Sequence, residues 1–354
     1  MSSTQPSPPD DDTMTARPPM VLPMMVRSVY AAGVLENRAA PFDRVQMRVF
    51  YPAEFTGTQQ ERMSGMLPVA SGVDRLPIVV FLPGVNVTID SYRWFAEFLA
   101  ARGFVVVLPW VIESMSPGVT AMTAGVDRAA SSPAELGSRP ACFALSAVLS
   151  ALEELDSSGS PLAGHLDLSN VAFGGHSAGG SMALLSSSAR WFPSLRCTFT
   201  FGAHLLGSQL AGWEPGSVMT INDDSVPLLL IAGTNDGVVA ASAGRYGETA
   251  ETREDPMRRT FARGLPDPVH ACSHMVLIDG ADHFAIVNPI DPTAARSFLE
   301  PATPTDAPLH RNLICALSES FLRSHLYADV TAAETLAALM TRSQDFVMKV
   351  TAKS

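Results

Sequence analysis

Val171-Ala-Phe-Gly-Gly-His-Ser-Ala-Gly-Gly180 is the stretch on which the fold turns. Its first three residues are apolar and suit a buried strand. Gly175-His176-Ser177-Ala178-Gly179 matches G-x-S-x-G, and the residues from Gly180 to Ser188 suit a helix. A strand, a tight glycine turn and a helix form the setting of a nucleophile elbow, where a serine hydroxyl stands on a strained turn. The flanking glycines answer crowding, because a side chain there would collide with neighbouring backbone. The following helix aims its first N–H groups at the serine and favours negative charge developing beside it. The five-residue pattern alone is modest evidence, and the alternative is a glycine-rich turn with a passive serine. The strand before it and the helix after it make the pattern specific.

Outward from the elbow, the same alternation repeats. Val45–Tyr51 alternates apolar and polar residues and ends at Pro52, as a half-buried strand does. Pro77–Leu82 and Gly103–Leu108 are continuous apolar runs, which suit strands covered on both faces. Tyr92–Arg102 lies between them with Trp94, Phe95, Phe98 and Leu99 at helical spacing, completing a βαβ unit. Ala141–Leu155 follows as a helix, Cys197–Phe201, Pro227–Ala232 and His274–Ile278 as strands, and Leu309–Leu326 as an amphipathic helix. The expected class is α/β, with a mostly parallel central sheet flanked by helices on both faces. Residues 1–20, rich in Pro, Ser and Asp, read as a disordered tail, and 21–327 as one catalytic domain. Residues 328–354 add a C-terminal helix, for which Thr331-Ala-Ala-Glu334 offers a capping box.

A serine hydroxyl is a weak nucleophile. It needs a histidine base, and the base needs an orienting carboxylate. In an elbow of this kind the chain order is Ser, then Asp or Glu, then His. Asp236 stands four residues past the strand ending at Ala232, in a glycine-rich turn, where the alternative is a turn aspartate capping backbone N–H groups. Asp223 and Asp224 precede that strand and fall at the wrong edge of a parallel sheet. His283 follows the last strand and precedes the long helix, and among the eight histidines it alone has the order and the setting. Two backbone N–H groups must face the carbonyl oxygen. Ala178 supplies one, and Val85, in the loop after Pro77–Leu82, supplies the other. Asn86, Trp110, His176 and Phe284 are candidates for the substrate pocket, with His204 and Leu205 nearby. For the apolar ones, core packing is the equal alternative.

The composition narrows the partners. A formal net charge of −11 disfavours nucleic acid and anionic membrane surfaces. Cys142, Cys197, Cys272 and Cys315 form no CxxC pair, so no zinc site is suggested; a Cys272–Cys315 bridge stays open. The apolar stretch Met20–Val26 contains Pro23 and is too short to span a bilayer, and a basic n-region with an apolar h-region is not seen. The expectation is a cytoplasmic protein without a membrane span.

The run Pro77–Gly84, then Tyr92 through Val107, then Gly175-His-Ser-Ala-Gly-Gly180, resembles the dienelactone hydrolase-like branch of the α/β-hydrolases. The chlorophyllases, platelet-activating-factor acetylhydrolases and cutinase-type polyester hydrolases are the nearest in pattern, over roughly Val45 to Leu326. The resemblance implies the α/β-hydrolase fold and a serine carboxylic ester hydrolase with a Ser-His-Asp triad. It implies an acyl-enzyme intermediate and neither metal nor organic cofactor. The substrate is then a small-molecule or polymeric ester, and lactone or amide cleavage with the same triad is the alternative. A non-catalytic binding protein on this fold would lack a triad member, and all three are present. Many relatives have His-Gly before the oxyanion residue, where this chain has Pro83-Gly84. The charged segment Glu248–Arg263 reads as an inserted surface helix or a lid-like loop between Asp236 and His283.

Overall fold

A computed structural model describes residues 24–36, 38–157, 159–221, 223, 225–247, 252–265, 273–300, 307–341 and 347–353. The expected N-terminal tail lies outside them. Among the described residues, ten strands form the sheet. They are β1 (Met25–Val34), β2 (Arg44–Ala53), β3 (Leu76–Leu82), β4 (Val105–Ser116), β5 (Val119–Thr123), β6 (Leu166–His176), β7 (Leu195–Phe201), β8 (Leu228–Gly233), β9 (Ser273–Ile278) and β10 (Val347–Lys353). Eight α-helices accompany them: α1 (Gln59–Ser64), α2 (Arg93–Ala100), α3 (Leu145–Ser157), α4 (Ser177–Leu185), α5 (Gly237–Ala241), α6 (Asp255–Arg259), α7 (Ala307–Leu326) and α8 (Val330–Thr341).

The strand order is β1-β2-β4-β3-β6-β7-β8-β9-β10, with β5 hairpinned onto β4. The six strands from β4 to β9 run parallel. β1, β2 and β10 join antiparallel at the two sides, so the sheet is mixed at its margins.

The continuous apolar runs follow from a sheet with two covered faces. Side chains alternate between faces along a strand. Ile78, Val80 and Leu82 of β3 join one core, and Val79 and Phe81 join the other. β4 and β8 divide the same way, with Val105, Val107, Leu228 and Leu230 on the first face and Val106, Leu108, Leu229 and Ile231 on the second. α3 and α4 pack on the first face through Leu145, Val148, Leu152 and Leu184. α2 and α7 pack on the second through Phe95, Leu99, Leu317 and Phe321.

Several elements depart from the sequence reading. β1 and β10 are not foreseen, because each is a margin strand that pairs through its backbone and needs no buried apolar run. β4 runs on to Ser116, so Trp110 lies inside a strand, opposite Gln46 of β2. α8 is capped by Asp329, whose Oδ1 accepts from Ala332 N–H at 3.1 Å; Thr331 stands inside the helix rather than at its cap. The described part of the charged segment holds α6 and a π-turn over Thr260–Gly264. Its Met257 and Phe261 are buried in the first core, so it is packed in rather than laid on the surface. Among the described residues, no helix is long and apolar enough to cross a membrane. Cys142, Cys197 and Cys315 are buried free thiols, which removes the Cys272–Cys315 bridge from consideration; Cys272 itself lies outside the described residues.

Candidate active site

Ser177 stands where β6 ends and α4 begins, at φ +56°. Positive φ is costly for a side chain with a Cβ, so surrounding structure must impose it. The imposition is visible at Gly179, where a Cβ would come within 2.4 Å of the Leu82 and Pro83 carbonyl oxygens. The loop after β3 therefore presses directly on the first turn of α4. No side chain caps that turn. Its leading N–H groups, Ala178 included, have no intrahelical acceptor.

The same loop supplies Val85. Its neighbours on both sides are committed: Gly84 N–H donates to Tyr92 Oη at 3.0 Å and Asn86 N–H to the Met122 carbonyl at 2.8 Å. The Val85 N–H has no acceptor among the described residues. Asn86, at φ +57°, accepts from Met122 N–H through Oδ1 at 3.0 Å. Its side chain braces the loop against β5, which is a structural task.

Asp236 and His283 meet after β8 and β9, as parallel neighbouring strands dictate. His283 Nδ1 lies 2.7 Å from Asp236 Oδ2, and both side chains are buried. The second carboxylate oxygen, Oδ1, accepts from Val239 N–H at 2.8 Å and so caps α5. The turn-capping alternative raised by the sequence therefore holds alongside the pairing with His283. Gly202, at φ +60° after β7, makes room for the pair: a Cβ there would stand 3.1 Å from His283 Nδ1.

His283 reaches the serine's neighbourhood through His176. The two rings lie 4.6 Å apart, and His176 Nε2 bonds the His283 carbonyl at 2.9 Å. The described hydrogen bonds include none between the Ser177 hydroxyl and His283 Nε2, and such a contact commonly tightens only when substrate is bound.

The remaining pocket candidates are placed differently from expectation. His176 is fully buried with both ring nitrogens bonded, so it does not face a substrate. Burial, then the adjacent His283, holds its pKa well below the ordinary histidine range. Phe284 is buried and packs edge-on against His283 at 5.3 Å, as core. Leu205 is fully buried in the first core. Trp110 is half-buried against the second core. Periodicity reports that these residues are apolar, and cannot report which side of a loop they face. His204 is half-buried, stacked edge-on against Tyr246 at 4.7 Å. Burial is the main cause that brings its pKa down to about 4.

Two contributors have no sequence signal of their own. Glu300 accepts from Gly237 and Val238 N–H at 3.0 and 3.2 Å, so a second carboxylate caps the helix that carries Asp236. Burial pushes the Glu300 carboxyl up, with Asp236 adding to it. Tyr92, fully buried, ties Gly84 to His176. Both act across long separations that a linear pattern does not display. A cleft of about 510 Å³ between Arg75, Arg196, His325 and Tyr327 lies at the opposite edge of the sheet, where β3, β6 and β7 begin. It holds none of the elbow or triad residues. Among the described residues, no three His, Cys, Asp or Glu side chains are grouped as metal ligands would be.

Compared with known family models and with curated proteins, the chain matches none.

Proposed function

We propose that this protein is a serine carboxylic ester hydrolase of the α/β-hydrolase fold. The observation that carries the reading is the convergence at one sheet edge of a positive-φ serine on an uncapped helix start and a buried His283–Asp236 pair bonded at 2.7 Å. The strand order, with β4 and β3 exchanged and an antiparallel β2 outside them, supports the fold assignment.

In this reading His283 Nε2 takes the Ser177 proton while Asp236 holds the imidazole in the Nδ1–H tautomer and stabilises the imidazolium. Ser177 Oγ bonds the acyl carbon, and the carbonyl oxygen becomes an oxyanion held by the Val85 and Ala178 N–H groups. His283 returns the proton to the departing alcohol. Water, activated by the same histidine, then releases the acid and restores the serine. Asn86, Phe284 and His176 take no direct part in that sequence.

The test is covalent labelling by a fluorophosphonate together with turnover of p-nitrophenyl esters of graded chain length. Ser177→Ala is expected to abolish labelling and to lower ester turnover by about 10⁴-fold or more. Full turnover in that variant would sink the reading, and the chain-length profile reports the acyl group preferred.

A further inference from the structure

Gly84 and Tyr92 of the β3–α2 connection, His176 and His283 come from three separate stretches, and one hydrogen-bond chain runs through them. Gly84 N–H donates to Tyr92 Oη at 3.0 Å, Tyr92 Oη lies 2.7 Å from His176 Nδ1, and His176 Nε2 lies 2.9 Å from the His283 carbonyl. The direction of every bond is fixed by chemistry. A carbonyl oxygen only accepts, so His176 Nε2 carries its proton. A neutral imidazole then has Nδ1 as acceptor, so the Tyr92 hydroxyl donates to it. Tyr92 Oη is left with lone pairs for the Gly84 N–H.

We infer that Tyr92 and His176 are positioning residues that lock the oxyanion loop to the base-bearing loop across the back of the nucleophile turn. The inference rests on the serine-hydrolase reading. Gly84 immediately precedes Val85, the proposed oxyanion donor, and His176 immediately precedes Ser177. His283 is thereby held at two points: its ring by Asp236 Oδ2 and its main chain by His176. Tyr92 and His176 are both fully buried, so water does not compete for these bonds. A fully satisfied buried chain of this kind admits one arrangement of its members, which is what fixed donors and a fixed base require.

The test uses the full chain, with fluorophosphonate titration counting live sites and a melting curve checking each fold. Tyr92→Phe keeps the ring, which packs 5.3 Å from Phe81, and removes only the hydroxyl. His176→Leu removes both ring nitrogens. Each variant is expected to lower kcat per titrated site about tenfold with KM held within about twofold. The double variant is expected to fall no more than about twofold below His176→Leu, because both changes cut one chain. His176→Gln, which retains an N–H donor, is expected to recover part of the loss. A wild-type kcat per site in Tyr92→Phe overturns the inference, as does a double variant whose loss is the product of the singles. Tyr92→Phe decides alone if His176→Leu does not fold. If the unaltered protein neither labels nor turns over esters, the serine-hydrolase reading fails and takes the inference with it. If it labels and the variants match it, the inference alone fails.

Discussion

Asp236 divides its carboxylate between two tasks, one oxygen accepting from His283 Nδ1 and the other from Val239 N–H. Asp236→Asn separates them. The amide oxygen still caps α5, and Asn is about as good a cap as Asp, so the melting temperature is expected to stay close to that of the unaltered chain. The amide NH₂, however, now faces His283 Nδ1 and forces the other tautomer, with the proton on Nε2. In the proposed mechanism a histidine so protonated does not accept from serine, and kcat is expected to fall about 10⁴-fold. A melting curve and an ester assay on the same sample check both halves. An Asn variant with unaltered kcat would remove Asp236 from the mechanism.

At the scale of the element, α8 shows how a linear motif and its structural use part company. Thr331-Ala-Ala-Glu334 has capping-box spacing, yet Asp329 caps the helix and is held in place by Arg323 Nε at 2.9 Å. Asp329→Ala is expected to cost about 1 kcal/mol, the usual loss for an N-cap. Thr331→Ala is expected to change stability by under about 0.5 kcal/mol, as for an ordinary exposed position. Denaturant unfolding of the two variants compares them, and equal losses would contradict the assignment. The elbow differs from α8 because part of what it requires is local, the rest coming from the Leu82 and Pro83 carbonyls against Gly179. Gly175, Ser177 and Gly179 lie within one turn, so their spacing, read with the strand before and the helix after, exposes the constraint.

Across the whole molecule, buried and half-buried histidines set the response to acid. Burial holds His176, His204, His274 and His325 below the ordinary histidine range, with His204 and His325 at about 4. In the unfolded chain these groups titrate near about 6.5. Between those values the unfolded chain binds more protons than the folded one, so stability falls as pH drops through that window. Buried Asp282 and the half-buried Glu300 and Glu319 are shifted upward and act with the opposite sign, gaining stability as they protonate. Their effect begins above the ordinary carboxylate range of about 4. The expectation is a lower melting temperature near pH 5.5 than near pH 7.5. His325, whose ring lies 4.6 Å from Phe321, is remote from the candidate site. His325→Phe is expected to shrink that drop while leaving kcat unaltered, and an unchanged drop would exclude His325 from it.

The sequence by itself determined the alternation of strand and helix, the parallel heart of the sheet, and the order Ser177, Asp236, His283. It did so because a two-face-covered strand demands an unbroken apolar run, and because an elbow demands glycines within a few residues of its serine. Tertiary structure alone decided the margin strands β1 and β10, which pair through backbone groups that every residue carries. It alone decided that Phe284 and His176 face inward, and that Tyr92 and Glu300 stand behind the loop over residues 84–86 and the Asp236 helix. Those facts depend on which side chain meets which across long separations in sequence. A period of two or of 3.6 residues reports the face of one element and is silent about what that face meets.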